Sequence, residues 1–245
     1  MDYNKQLIRA SFNKYNSSYD LYNSVQIKTS EYLGRMLQGG FSPLLLDLGA
    51  GNGSAAKVIL EKHAYNNCIS IDIAEQSLEN IGKRFMSVCA DIDNLPIDSG
   101  IVDLVISNMS LQWLQDIEKS FAEIYRVIRP GGEIAFSIPV KGSFEAVKRF
   151  CPDSFNELYS IPDIIKILGK YKLDIVKQDT EDYSIKFLDL LSALKSIRNI
   201  GAGVRLSKNN VSFMRAELLK ADSFFGNNLV PLDYRILYVW GKKRG

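Results

Sequence analysis

The first forty residues place apolar and aromatic side chains at helical spacing. Ile8, Phe12, Tyr15 and Tyr19 follow an i, i+4, i+7, i+11 stripe, interrupted around Asn16-Ser17-Ser18. Such a stripe marks a helix with one buried face, so residues 5–38 are predicted to be helical with a break. From residue 44 the rhythm changes. Short apolar runs at Leu44–Leu48, Cys68–Ile73, Phe85–Ala90, Val102–Ser107 and Glu133–Ile138 read as strands. Between them Ser54–His63, Glu75–Lys83 and Glu118–Ile128 read as helices, the last stopped by Pro130-Gly131-Gly132. Short apolar strands alternating with helices of this length predict an α/β fold with a parallel sheet covered on both faces. After residue 140 come helical Asp163–Gly169, strand material at Leu173–Val176 and Tyr183–Phe187, mostly helix over 188–225, and a last strand at Tyr234–Trp240. The expected organisation is a single domain over 1–245. It has an N-terminal helical arm (1–40), a core (41–140) and a helical insertion (188–229) before the final strand.

Composition narrows the class. At 245 residues with 46% hydrophobic and 24% charged positions, the chain can bury a proper core. Thirty basic against 28 acidic residues leave a net charge of +2, too balanced for a general nucleic-acid binder. The opening MDYNKQLIRASFNKY has no apolar core of signal-peptide length, and no run reaches the roughly 20 residues needed to cross a bilayer. Cys68, Cys89 and Cys151 are scattered without paired spacing, and the single histidine, His63, excludes a histidine-rich metal site. The expectation is a cytoplasmic enzyme, monomeric, with no metal and no membrane partner.

Candidate chemistry starts at 47-DLGAGNG-53, directly after the first strand. Gly49, Ala50, Gly51 and Gly53 let the backbone turn tightly and approach a ligand. Asp72 ends the second strand 21 residues after Gly51, with Ile73 beside it, where a ribose-binding carboxylate belongs. Alone, these features fit a nicotinamide-dependent dehydrogenase and a methyl-donor site equally well. Three further positions favour the second. Asp47 would repel a pyrophosphate but suits the ammonium of a bound amino-acid moiety. Asp91, just past the third strand, can accept a hydrogen bond from an adenine amino group while Ile92 covers the base. Asn108 ends the fourth strand at the same rim and opens an apolar–aromatic loop that includes Met109 and Trp113.

In this order, DLGAGNG, IDIAEQSL, ADIDNLPI, DLVISNMSLQW and RVIRPGGEIAFS resemble the motifs of class I S-adenosylmethionine-dependent methyltransferases. The resemblance implies S-adenosyl-L-methionine as cofactor and a Rossmann-like seven-stranded, mostly parallel sheet whose last strand is antiparallel. Beyond the core, 4-NKQLIRASFNKYNSSYD-20, 139-PVKGSFEAV-147, 190-LLSALKSIRNIGAG-203 and 231-PLDYRILYVWGKK-243 are similar to the malonyl-acyl-carrier-protein O-methyltransferases of biotin synthesis. That likeness runs nearly end to end. It implies malonyl-acyl carrier protein, or malonyl-coenzyme A, as the partner substrate. In the family pattern the pair Tyr19-Asp20 closes over cofactor and substrate.

Methyl transfer to a carboxylate needs no general base, because the nucleophile is already ionised at pH 7. What it needs is a carboxylate-binding group. Leu190–Ala216 holds five basic residues (Lys195, Arg198, Arg205, Lys208, Arg215) and no acid. Lys195 and Arg198, with Tyr19, are the expected substrate-site residues. The remaining cations, extended by Lys141, Lys148 and Arg149, are expected to meet an acidic carrier surface. Two other readings stay open. IDIAEQSLEN and the SLQW loop are also similar to mitochondrial-type respiratory complex I assembly factors, a family associated with arginine hydroxylation of a protein. A small-molecule methyltransferase of quinone type shares the core motifs.

Overall fold

A computed structural model of the chain describes residues 3–15, 19–37, 40–79, 81, 85–152, 155–200, 202 and 211–245. Three helices, α1 (Tyr3–Tyr15), α2 (Tyr19–Tyr22) and α3 (Ser24–Met36), form the arm. The core alternates β1 (Gly40–Leu48), α4 (Ser54–Leu60), β2 (His63–Asp72), α5 (Glu75–Leu78), β3 (Met86–Cys89), β4 (Val102–Asn108), α6 (Ile117–Val127) and β5 (Ile128–Pro139). Then follow α7 (Glu145–Lys148), α8 (Ile161–Leu168), β6 (Leu173–Phe187), α9 (Leu190–Asn199), α10 (Val211–Phe225) and β7 (Val230–Lys243). The seven strands form one sheet in the order β3-β2-β1-β4-β5-β7-β6, and β7 alone runs opposite to the other six. This is the Rossmann-like arrangement expected from the sequence, with the helical segment between the last two strands.

The central strands are buried on both faces because their side chains alternate between two cores. On one face Leu45, Leu104 and Ala135 pack against Leu33 and Met36 of α3 and Ala56 and Ile59 of α4. On the other, Leu46, Val105 and Phe136 pack against Phe121 and Ile124 of α6 and Ile164 and Leu168 of α8. Side-chain caps fix where the covering helices begin. Asp116 accepts from the Lys119 N–H, Ser160 and Asp163 form a capping box, and Asp189 accepts from the Ser192 N–H.

Several boundaries differ from the sequence expectation. His63 opens β2 rather than ending a helix, and its Nε2 lies 2.9 Å from Ser42 Oγ. Parallel pairing with β1 carries β2 through the polar residues Asn66 and Asn67, which periodicity alone excludes from a strand. β5 is entered already at Ile128, but residues 129–132 bulge out between the Val102–Ile128 and Leu104–Glu133 pairs, and regular pairing starts at Glu133. The helix stops at Val127 as Pro130-Gly131-Gly132 predicts, and Gly132 lets the bulge pass close to the Val102 carbonyl, which a Cβ there would meet at 2.9 Å. β6 is one strand of 15 residues, not two pieces. Its polar middle is tolerated because β6 is an edge strand hydrogen-bonded only to β7. The expected helix through Lys83 is described only over Glu75–Leu78; residues 82–84 lie outside the described ones. Among the described residues no helix is long and apolar enough to cross a membrane.

Candidate active site

The carboxyl ends of β3, β2, β1 and β4 stand side by side, and the crevice at such a topological switch is where open α/β sheets bind ligands. The loop after β1 is tied to β2: the Gly49 and Ala50 N–H groups both donate to the Ile71 carbonyl, at 2.8 and 3.0 Å. The Gly51 N–H donates to Asp72 Oδ2 at 2.8 Å, and Ala74 N–H donates to Oδ1 at the same distance. Gly49 and Gly51 are glycines for different reasons. Gly49 has φ +67, and a Cβ there would sit 2.3 Å from Ser110 Cβ. Gly51 has φ +55 but faces open space, with nothing within 4 Å of the Cβ position. Gly53 caps α4 in the left-handed conformation.

Two consequences separate these roles. Gly49→Ala is expected to cost about 2 kcal/mol or more, from the clash and the left-handed backbone. Gly51→Ala is expected to cost only the left-handed backbone strain, about 1–2 kcal/mol, while filling the space a ligand would approach. Denaturant unfolding beside nucleoside titration of both variants checks the contrast.

The cleft over this loop encloses about 920 Å³, its mouth included. Gly49, Gly51, Asp72, Ile73, Asp91, Ile92, Asn108, Met109 and Trp113 line it, joined by Tyr19 from α2. Ala50 lines an adjoining recess beside Asn52, Asn23 and Gln26. Asp47 lies beneath the loop, only 1% exposed, and its Oδ2 has no partner among the described residues. Burial, then the nearby Asp72, pushes its carboxyl up to about 7. Burial also raises Asp72, against the N–H donors of Ala74, Gly51 and Ile73. A buried carboxylate with an orphaned oxygen is costly unless a cationic or donor group completes it.

At the β3 end of the cleft, Asp91 starts a 3-10 turn, Ile92–Asn94, and its Oδ1 accepts from the Asp93 N–H at 3.1 Å. At the other end both side-chain groups of Asn108 are engaged. Its Nδ2 donates to the Gln26 carbonyl at 2.9 Å, and its Oδ1 accepts from Ser137 Oγ at 2.6 Å. The side chain therefore fastens the β4 rim to α3 and leaves the main chain to face a ligand. Met109 follows with φ +54, its N–H donating to Ser137 Oγ at 3.1 Å.

A second chamber of about 650 Å³ adjoins the cleft, sharing Phe12, Tyr19, Met109, Trp113 and Ile200. Phe144, Phe155 and Tyr234 form its far wall, with Gln26, Gln112 and Asn156 as its neutral polar groups. Phe144 stacks on Phe155 at 5.1 Å, and the Lys148 ammonium lies 5.9 Å from the Phe155 ring centre. No charged residue among the described ones lines this chamber.

The structure brings most of the sequence-derived site together, with clear exceptions, the first being Asp47, which is buried beneath the glycine loop and is not part of the cleft lining. Lys195 and Arg198 are exposed on α9, whose Ile197 faces the chamber. Arg215 is exposed on α10, and Arg205 and Lys208 lie outside the described residues. Phe12 and Tyr15, read from the stripe as core, instead line the cleft, as do Lys5 and Ile8. The helical spacing of these residues signalled a buried face but not that a ligand cleft lies under it. Among the described residues no cluster of His, Cys, Asp or Glu could hold a metal ion.

A glycine loop after β1, a carboxylate after β2 and this strand order define the fold of class I S-adenosylmethionine-dependent methyltransferases, and residues 46–136 match the family model described as a methyltransferase domain. Over 254 residues the chain is 29% identical to the malonyl-[acyl-carrier protein] O-methyltransferase of Marinomonas sp. (strain MWYL1), spanning 98% of this chain and 94% of that protein. The protein of that name from Geobacter sulfurreducens is 28% identical over 268 residues, spanning 98% of this chain and 99% of its own. Among solved structures, the YcgJ protein from Bacillus subtilis has a TM-score of 0.66 at 12% identity, over 89% of this chain and 99% of that one. That last likeness is one of fold alone.

The site fits the methyl donor. Gly51 leaves room for close approach, and Asp72 lines the cleft as an acceptor that could meet a ribose diol, while Asp47 lies buried beneath the loop outside the cleft lining. S-adenosylmethionine would supply the electrophilic methyl group.

Proposed function

We propose that the chain transfers a methyl group from S-adenosylmethionine to the free carboxylate of a malonyl thioester on acyl carrier protein, giving the methyl ester used in biotin synthesis. The second chamber carries this reading. It opens off the cofactor cleft at Tyr19, Met109 and Trp113, and no titrating acid or base with a carboxyl, imidazole or amine among the described residues lines it. A carboxylate is ionised at pH 7 and needs no base to be activated. The cofactor's sulfonium supplies the attracting positive charge, so the walls have only to position the anion and strip its water. Tyr19, at the junction of the two cavities, is the proposed donor to a carboxylate oxygen. A fixed cation at hydrogen-bond distance would hold the anion more tightly but blunt its nucleophilicity. Lys195 and Arg198, exposed on α9 behind the chamber wall, are proposed to meet the acidic surface of the carrier rather than the reacting group. The volume of the chamber leaves room for part of the thioester arm beside the malonyl unit. End-to-end similarity to enzymes named for this reaction supports the same assignment. An arginine-bearing protein is a poorer fit, since no described carboxylate lines the chamber to meet a guanidinium.

The test is methyl transfer to malonyl-carrier protein, malonyl-coenzyme A, free malonate and a carrier thioester whose carboxylate is replaced by an amide. The carrier-bound malonyl group is expected to be methylated fastest and the amide not at all. Tight S-adenosylhomocysteine binding with no transfer to any carboxylate would overturn the assignment of substrate.

A further inference from the structure

Helix α1 lies across the cofactor cleft, and its residues Lys5, Ile8, Phe12 and Tyr15 line that cleft. These positions form one helical face. The surface beneath it is the space a nucleoside would fill, so the arm completes its packing on the ligand. Three contacts at the adenine side fasten it. Arg9 Nη2 reaches Glu75 Oε2 at 3.4 Å, and the Gln76 N–H donates to Asn13 Oδ1 at 3.1 Å. Both are exposed, and exposed contacts of this kind contribute little. The third is different in kind. Lys5 Nζ donates to Asp91 Oδ2 at 2.6 Å and also to Asp93 Oδ2, with side-chain exposures of only 12% for Lys5 and 7% for Asp93. Asp93 is anchored in turn, its Oδ1 accepting from the buried Ser120 Oγ of α6.

We propose that Lys5 is the positioning residue that locks α1 over the bound nucleoside, holding Asp93 with one donor while it fixes Asp91 for the adenine amino group. The proposal rests on the reading that a nucleoside occupies this cleft. Each carboxylate oxygen carries two lone pairs, so Asp91 Oδ2 can accept from the amino group without releasing Lys5. Closure and adenine recognition then share one carboxylate. Loss of the cation leaves Asp91 and Asp93 side by side with no compensating charge, which opens the arm. Release of the demethylated product requires the same opening, so Lys5 sets how long the nucleoside stays.

The experiment measures S-adenosylhomocysteine binding and dissociation on the full chain, with no methyl acceptor present. Lys5→Met is expected to bind about 30-fold more weakly, mostly through faster dissociation, with its unliganded melting temperature little changed. Lys5→Arg keeps the charge and is expected to stay within about threefold of the wild type. Asp93→Asn, which leaves Asp91 intact, is expected to accelerate dissociation too and serves if Lys5→Met folds poorly. Dissociation from Lys5→Met and Asp93→Asn at the wild-type rate, or an equal defect in Lys5→Arg, would overturn the proposal. Wild-type protein that fails to bind the nucleoside at all would overturn the cofactor reading beneath it. Failure to methylate malonyl-carrier protein while these binding differences persist would touch only the substrate assignment.

Discussion

Asp72→Ala is expected to weaken S-adenosylhomocysteine binding by at least about 100-fold, because each hydrogen bond to a charged group contributes roughly 1.5–3 kcal/mol and the substitution removes several at once. Asp72 accepts from the Gly51 and Ala74 N–H groups and thereby sets the shape of the glycine loop. Its remaining lone pairs face the cleft, where a ribose diol would donate. Alanine removes the ligand's acceptor and leaves the Gly51 N–H without its partner, so the loop loosens as the contact disappears. Asp72→Asn keeps one oxygen and should fall between the two. Calorimetric titration of the three proteins gives the comparison. A loss of less than about threefold for Asp72→Ala would mean that the nucleoside does not sit on this loop.

Asp47→Asn is expected to bind the nucleoside about 100-fold more weakly yet to melt at a higher temperature than the wild type at pH 8. Burial and the nearby Asp72 raise the Asp47 carboxyl from the ordinary 3.8 to about 7 in the folded chain. Between those two values the folded state holds a proton that the unfolded chain has lost. Ionising Asp47 therefore costs stability as pH rises through that window, and above it the cost is complete. Asparagine never ionises and escapes the cost, so the difference in melting temperature should shrink as pH falls toward 4. A bound ammonium favours the ionised form, so wild-type affinity should rise from pH 6 to 8 while that of Asp47→Asn stays flat. Thermal melts and titrations across that range read both effects. Parallel pH profiles for the two proteins would contradict the role given to Asp47.

The carboxyl-end rim was legible in the sequence because each contributing strand is a short apolar run ending in a polar residue. Asp47, Asp72, Asp91 and Asn108 fall at those ends, and the sheet order places them together. β6 was not legible as one strand. Its middle, Gln178–Asp182, carries no apolar residue, and what holds it is a partner strand more than 50 residues later in the chain. Lys5 was missed for a similar reason: its carboxylate partners lie 86 and 88 residues away, and local pattern gives no signal for such a pair. The outward placement of Lys195 and Arg198 follows from helical periodicity. Leu190, Ala193, Leu194 and Ile197 form the inward face of α9, which turns positions 195 and 198 outward. Counting charge along the segment found its basic character, but helical periodicity decides which way that charge points. The second chamber draws on the arm, the loop after β4, the α7 region, α9 and β7, so no single stretch of sequence announces it.

The proposed reaction moves a methyl group from S-adenosylmethionine onto the malonyl carboxylate of a carrier thioester. Intact mass spectrometry of malonyl-acyl carrier protein, incubated with the enzyme and S-adenosylmethionine, tests it most directly. A gain of one methylene mass is expected that depends on the cofactor and is reversed by a carboxylesterase that cleaves the methyl ester and spares the thioester. An unchanged carrier mass under conditions where the protein demonstrably binds S-adenosylhomocysteine would contradict it.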